Sequence, residues 1–271
     1  MSWWRKPASD TQVTHGDRLW LYGVAVVVML LLVIPTFIVI PMSFSASQYL
    51  EFPPSSWSLR WYGEYVGSTK WMRATVTSFQ VGLLTMLVAT PLGVTAAYAL
   101  FVSGHKATRA LFMLLITPMI VPVILIAIGT FYAYGRVGLN NTITGLVLAH
   151  TALAIPLVMI VITAALRSYD LNQELVARSL GASRIKAFFS VTLPQIKFSV
   201  MSAALLSFLT SFDEVIIAIF VSGGSNATLT KHMFSALRDY IDPTIAAIST
   251  IMVLISSLLL LLTQVIGPKR D

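Results

Sequence analysis

The sequence predicts an all-α membrane protein with six transmembrane helices, and three observations predict it. The chain is 56% hydrophobic and only 11% charged, where soluble domains carry roughly 25% charged residues. Its charges gather into short runs separated by uncharged intervals, each long enough for the about 20 apolar residues that a helix needs to cross hydrocarbon. Its basic residues are shared unequally between alternate connecting segments, as the positive-inside rule requires. The chain has no cysteine, which excludes disulfides and thiol chemistry and leaves the compartment open.

The spans follow in order from the charge-free intervals. Arg18 to Glu51 holds the first, LWLYGVAVVVMLLLVIPTFIVIPM, placed at 19–42. Trp3, Trp4, Arg5 and Lys6 precede it. The run is too long for a signal-peptide core and no small-residue cleavage site follows, so it reads as a retained signal anchor. Trp3, Trp4, Trp20 and Tyr22 suit interfacial anchoring. An outer loop occupies 43–73. The second span lies between Arg73 and Lys106, the third between Arg109 and Arg136, and the fourth between Arg136 and Arg167. The fifth runs from Lys197 to about Val221, and after an outer loop at 222–243 the sixth lies between Asp242 and Lys269. Pro91, Pro118, Pro122 and Pro156 interrupt spans two to four. Because Pro118 and Pro122 share one helix face, the third span is expected to bend.

Orientation comes from the charges. With the N-terminus inside, the inner segments hold 12 bases and 5 acids, for +7, and the rest holds 6 of each, for 0. The whole basic excess is then cytoplasmic, so the net charge gives no reason to expect nucleic acid as a partner. The chain divides into a cytoplasmic tail at 1–18, the first helix, the outer loop, a core at 74–266 and a tail at 267–271, with both termini cytoplasmic.

Between spans four and five lies a polar stretch, Asp170 to Pro194, DLNQELVARSLGASRIKAFFSVTLP. It reads as two short amphipathic helices. Asp170 and Gln173 have the spacing of a capping box, and Gly181 is placed to end the first helix in a left-handed conformation. Ser183 can cap the second, in which Ile185, Phe188 and Phe189 share a face. Pro194 suits the first turn of the helix that follows. A plain solvated linker does not account for exposing Phe188 and Phe189; a protein partner does.

The stretch resembles the EAA loop of binding-protein-dependent ABC transporter permeases, in which E-A-A is followed after three residues by Gly, then nine residues on by Ile, one residue, and Leu-Pro. Ala177, Gly181, Val191 (for Ile), Leu193 and Pro194 stand at that spacing, with the usual Ala182-Ser183. The pattern's Glu is Leu175 here and its first Ala is Val176, while Glu174 falls one residue early. In that family the loop forms coupling helices that dock on a cytoplasmic ATPase. The resemblance assigns coupling to Glu174, Ala177, Gly181, Ala182, Ser183, Phe188, Phe189, Leu193 and Pro194, with docking resting on the apolar face and Gly181. Further stretches are similar to polyamine-type permeases: SSWSLRWYGEYV, LAHTALAIPLVMIVI, SFDEVIIAIFVSG and TLTKHMFSALRDYIDPTIAAIST. They look like the second permease subunit of spermidine/putrescine-type importers.

The resemblance implies a type I ABC importer permease in a bacterial inner membrane. Its expected partners are a second permease subunit, two cytoplasmic ATP-binding subunits, a periplasmic binding protein and the lipid bilayer. The expected cargo is a polyamine; other amines, amino-acid derivatives and phosphonates stay open. No P-loop, metal-ligand spacing or nucleophile motif occurs in the sequence, so no cofactor, metal or catalytic residue is assigned. A stand-alone ion-coupled carrier would need paired intramembrane charges and inverted repeats, of which only Asp213 and Glu214 are visible; a membrane enzyme lacks its constellation.

Four residues are pathway candidates. Asp213 and Glu214 are the only acids inside an expected span; such groups face a cavity or a partner, either attracting a cation or stabilising a helix break. Adjacent helical residues point about 100° apart, so at most one faces the pathway fully. His150 reads as a structural hydrogen-bonding group before a proton relay. Tyr132, with Tyr134, reads as an interfacial belt residue before a cation contact.

Overall fold

In the computed structural model, residues 14–266 are described. Trp3, Trp4, Arg5, Lys6, most of the expected N-terminal tail and the tail at 267–271 lie outside them. The described residues are mainly helical, without a sheet; an isolated antiparallel bridge joins Ser45 and Trp57. Three helices are long and apolar enough to cross a membrane: α1 (Leu19–Met42), α3 (Thr69–Val102) and α6 (Ile143–Ser168). Two bent pairs pass the same test when taken together, as described below. The described residues form two units, 14–65 with 241–255, and 66–240 with 256–266.

In the first unit, α1 is apolar on every face and buries none of its side chains, as expected of a helix meant for lipid or another apolar partner. The segment after it is folded on itself. Phe44 packs on Tyr62 and Trp57 with ring centroids 5.3 and 6.4 Å apart, and the Ser43 and Tyr62 hydroxyls are 2.7 Å apart. Glu51 accepts the hydroxyls of Ser45 and Ser55 at 2.7 and 2.8 Å, and these bonds hold its carboxyl below the usual carboxylate range. The outer loop therefore has structure of its own and leads into α2 (Arg60–Gly67). The apolar α13 (Thr244–Ile266) begins in this unit.

The second unit is built on α3, α6 and α10 (Lys197–Asp213). The Ser68 hydroxyl caps α3 by accepting the Trp71 N–H, and Thr142 caps α6 by accepting the Gly145 N–H at 3.0 Å. Where α3 meets α6, a Cβ on Gly93 would stand 2.6 Å from a Val158 methyl carbon, so the absent side chain sets the helix separation. Apolar side chains pack in two clusters. One joins Val94, Ala97, Val158, Ile162 and Phe188; the other joins Val81, Ala127, Leu146, Ile217 and Val221.

The expected bend of the third span is present. The chain runs from α4 (Thr108–Ile116) through a 3₁₀ turn at Thr117–Met119 to α5 (Val123–Val137), a 92° change of direction with Pro118 and Pro122 at the break. The fifth span departs from expectation in two places. Below it, beyond α7 (Asn172–Ser179), the run of α8 (Arg184–Ala187), a π turn at Phe188–Thr192 and α9 (Leu193–Gln195) meets α10 at 80°. Pro194 falls in the first turn of the short α9, as expected of it, and the long helix begins only beyond the bend. Above it, α10 stops at Asp213, and α11 (Ile216–Val221) is a separate helix. The second unit closes with α12 (Leu229–Asp239), whose cap is Thr228.

Candidate functional site

The polar stretch after α6 forms a compact platform against one end of the bundle. Its first helix begins differently from a capping box. Asp170 accepts the Asn172 N–H at 3.0 Å, and the Gln173 side chain reaches instead to Gln195. Gly181 adopts φ +93°, the left-handed stop expected of it. The Ser183 hydroxyl accepts the Lys186 N–H at 3.3 Å and starts α8.

Glu174 is the centre of this platform. It is buried, and each carboxylate oxygen accepts one hydroxyl: Tyr98 of α3 at 2.6 Å and Thr192 of the π turn at 2.7 Å. Bonds to an ionised acceptor are about twice as strong as neutral ones, so this carboxylate ties the platform to the bundle. The sequence shows Glu174 one residue early; the structure shows it turned inward while its neighbour Leu175 faces out.

The expectation that Phe188 and Phe189 are both exposed is half wrong. Phe189 is 60% exposed, whereas Phe188 is 6% exposed and its ring lies 4.4 Å from that of Tyr98. Adjacent residues on any helical turn diverge by roughly 100°, so one aromatic ring goes to the core and the other to the surface. Ile185 goes with Phe189, four residues on. Together with Leu175, Val176 and Leu180 they leave an apolar row in the open, Leu180 at 84% and Ile185 at 72% exposed. Exposed apolar patches are the kind of surface that protein, membrane or ligand contacts cover. Ala177, Ala182 and Leu193 are half-buried beneath it; Ser183 and Pro194 are exposed.

The pathway candidates lie along the other half of α3 and its neighbours. Glu214 leaves the helix with ψ 116° and its carboxylate accepts the Ile217 N–H at 2.8 Å, so it caps α11. Asp213 is exposed at the break. His150 is buried, with Nδ1 2.8 Å from the Ser211 hydroxyl, which itself donates to Thr85 at 3.3 Å. That chain fastens α6 to α10 and α3. Tyr132 is exposed and meets the ring of Phe131 edge-on at 5.7 Å. Among the described residues, no hydrogen bond or ring contact joins it to His150, Asp213 or Glu214.

Several residues that sequence reading missed hold this end together. Lys231 donates to the carbonyls of Ile219, at 3.1 Å, and Ser222, at the C-terminus of α11, where a cation is favoured. Burial pushes its ammonium pKa down. Asn141, at φ +62°, donates its N–H to the Val221 carbonyl at 2.7 Å and accepts Asn226 at 2.6 Å. The Leu229 N–H donates to Ser78 of α3 at 2.8 Å, and Trp71 packs on His232 at 4.3 Å. A recess of about 400 Å³ beside them is lined by Lys70, Arg73 and His232. Its basic lining suits an acidic surface and not a cation. Among the described residues no cluster of three or more His, Cys, Asp or Glu could hold a metal ion.

Comparison with known proteins bears on what this arrangement is for. The family described as "Binding-protein-dependent transport system inner membrane component" matches residues 89–270. The chain is 30% identical over 246 residues to the spermidine/putrescine transport system permease protein PotC of Haemophilus influenzae, covering 90% of this chain and 95% of that one. It is 31% identical over 239 residues to the putrescine transport system permease protein PotI of Escherichia coli, covering 83% and 84%. Among solved structures it is similar to a chain of a bacterial ABC transporter involved in the import of the acidic polysaccharide alginate. The TM-score is 0.67 at 15% identity, over 94% of this chain and 97% of that one. A chain of the inward-facing MetNI methionine ABC transporter gives TM-score 0.55 at 16% identity, over 72% and 91%. At those identities the structures speak for the fold alone.

Proposed function

The chain belongs to the family of binding-protein-dependent transport system inner membrane components, and on that premise we propose that it forms half of the translocation pathway for a polyamine, driven by separate ATPase subunits. The observation that carries the ATP-driven reading is the apolar row of Leu175, Val176, Leu180, Ile185 and Phe189, exposed on a platform that Glu174 fastens to the bundle. A surface that must transmit force needs both features: an exposed apolar face for the partner and a rigid tie behind it. The polyamine is supported by the two permease relatives, named for spermidine/putrescine and for putrescine transport, which align along most of the chain.

In this reading six spans cross the membrane: α1, α3, the bent pair α4–α5, α6, the broken α10–α11, and α13. Residues 1–18 and 267–271 are cytoplasmic, 43–73 is a periplasmic loop, and 74–266 is the permease core with its coupling platform at 170–194. A second permease subunit completes the pathway and two ATP-binding subunits dock on the platforms. A periplasmic binding protein delivers the substrate, and the basic recess by Lys70, Arg73 and His232 gives it a place to set an acidic surface. Asp213, exposed at the helix break, meets the cation, while Glu214, His150 and Tyr132 serve structure. Glu174 positions the platform from behind; the remaining members of the loop set form or shape the docking face.

The test is purification of the intact membrane complex followed by putrescine and spermidine uptake into proteoliposomes. An ATPase subunit is expected to co-purify, uptake to require ATP, and Asp213→Asn to reduce it. Uptake that survives ATP depletion and collapses with the proton gradient would overturn the ATP-driven reading. Unaltered polyamine uptake in Asp213→Asn would remove that residue from the pathway.

A further inference from the structure

A recess of about 340 Å³ opens between the Val102 end of α3, the start of α4 and the end of α6, lined by Leu100, Phe101, Arg109, Phe112, Thr163 and Arg167, among others. Arg109 is the second residue of α4 and Arg167 the second-last of α6, so both guanidinium groups stand where apolar helices end. The ion pairs among the described residues are Arg60–Glu64 and Arg238–Asp239, so among these residues neither Arg109 nor Arg167 has a carboxylate partner. On the same lining the Thr163 hydroxyl is buried and has no hydrogen-bond partner. Leu100, Phe101 and Phe112 supply an apolar wall.

We propose that this recess binds a phosphate-bearing anion, supplied in the bilayer by the headgroup of an anionic phospholipid. A guanidinium presents paired N–H donors that fit two phosphate oxygens at once, and a buried hydroxyl left without a partner completes a third contact. Basic pockets between membrane helices at the membrane surface hold anionic headgroups, and the apolar wall accepts the start of an acyl chain. The same charges repel a cationic cargo, so the recess lies outside the pathway. The inference rests on the reading of α3, α4 and α6 as membrane spans.

The experiment titrates the purified complex in a neutral detergent with phosphatidylglycerol, phosphatidylcholine and inorganic phosphate. It follows the melting temperature and the lipid retained in native mass spectrometry. Phosphatidylglycerol is expected to raise the melting temperature saturably while phosphatidylcholine does not. Arg109→Gln with Arg167→Gln should weaken that binding roughly thirtyfold, at about 1 kcal/mol per basic residue near the surface. Arg109→Lys with Arg167→Lys keeps the charge without the fork and should fall between, which preserves the test if the glutamine pair folds poorly. Arg238→Gln should change nothing. Saturable stabilisation by inorganic phosphate, lost in the glutamine pair, would assign the same site to a soluble phosphate. Equal shifts with both lipids, or wild-type binding by the glutamine pair, would overturn the proposal. Both ends of the protein are reachable in detergent, so an inverted membrane orientation leaves this result unchanged.

Discussion

At the Val102 end of α3 the chain leaves five large apolar side chains in the open and buries a carboxylate. Toward the Thr69 end, polar groups are tied to neighbouring backbone instead. There Ser78 holds the Leu229 N–H, Glu214 the Ile217 N–H, Asn226 the Asn141 carbonyl, and Lys231 two carbonyls of the α11 terminus. Ser78 and Tyr98 stand twenty residues apart on one helix, about 30 Å at 1.5 Å per residue. One end ties polar side chains to the backbone of neighbouring segments, and the other leaves an apolar row exposed.

The sharpest way to break the comparison is Glu174→Ala. It leaves the Tyr98 and Thr192 hydroxyls without their acceptor and removes two charge-assisted bonds, a loss of about 4 kcal/mol. The expected outcome is a lower melting temperature together with loss of co-purifying ATPase and of uptake. Tyr98→Phe, which removes one of the two bonds, should cost about 2 kcal/mol. An unchanged melting temperature in Glu174→Ala would mean that the platform stands without its tie to the bundle.

The adjacent phenylalanines separate core from docking surface within one turn. Phe188→Ala empties a packed site and is expected to lower stability by about 3 kcal/mol. Phe189→Glu changes only an exposed side chain, within about 0.5 kcal/mol, yet should release the ATPase and abolish ATP-driven uptake. Thermal unfolding beside a pull-down reads both at once. Equal destabilisation by the two would place both rings in the core; retention of the ATPase by Phe189→Glu would sink the docking surface.

Much of this was legible in the residues. Two prolines four apart announced the bend before α5, Gly181 its left-handed stop, and Ser183 its cap, because each acts on backbone within a few residues of itself. The platform was legible as two short helices from its glycine and its cap. What stayed hidden were bonds between distant parts of the chain. Nothing near Glu174 announces Tyr98, 76 residues away, and nothing near Lys231 announces that the carbonyls ending α11 are left for it. The orientation of Phe188 was hidden for a related reason. Helical spacing placed it beside Ile185, but the ring of Tyr98 decided which of two adjacent aromatics turned inward. The break after Asp213 was legible only as one of two readings of Asp213 and Glu214, because uncharged sequence runs on both sides of it.

The smallest expected effect probes the Thr69 end through pH. Burial lowers the pKa of Lys231, so between that lowered value and the ordinary lysine value of about 10.4 the unfolded chain binds more protons than the folded one. Stability rises with pH wherever that holds. The penalty of burying the ammonium is therefore fully present below the folded pKa and relieved as pH climbs through it. The neutral amine can still donate to the carbonyls of Ile219 and Ser222. Lys231→Met has neither the titration nor the bonds, so the advantage of the native chain over this variant should grow as pH is raised from neutral towards 10. Melting temperatures of the two proteins in detergent, measured across that range, check it. A difference that shrinks with rising pH would mean that the charge of Lys231, and not merely its hydrogen bonds, holds the end of α11, and the contrast between the two ends would then rest on electrostatics.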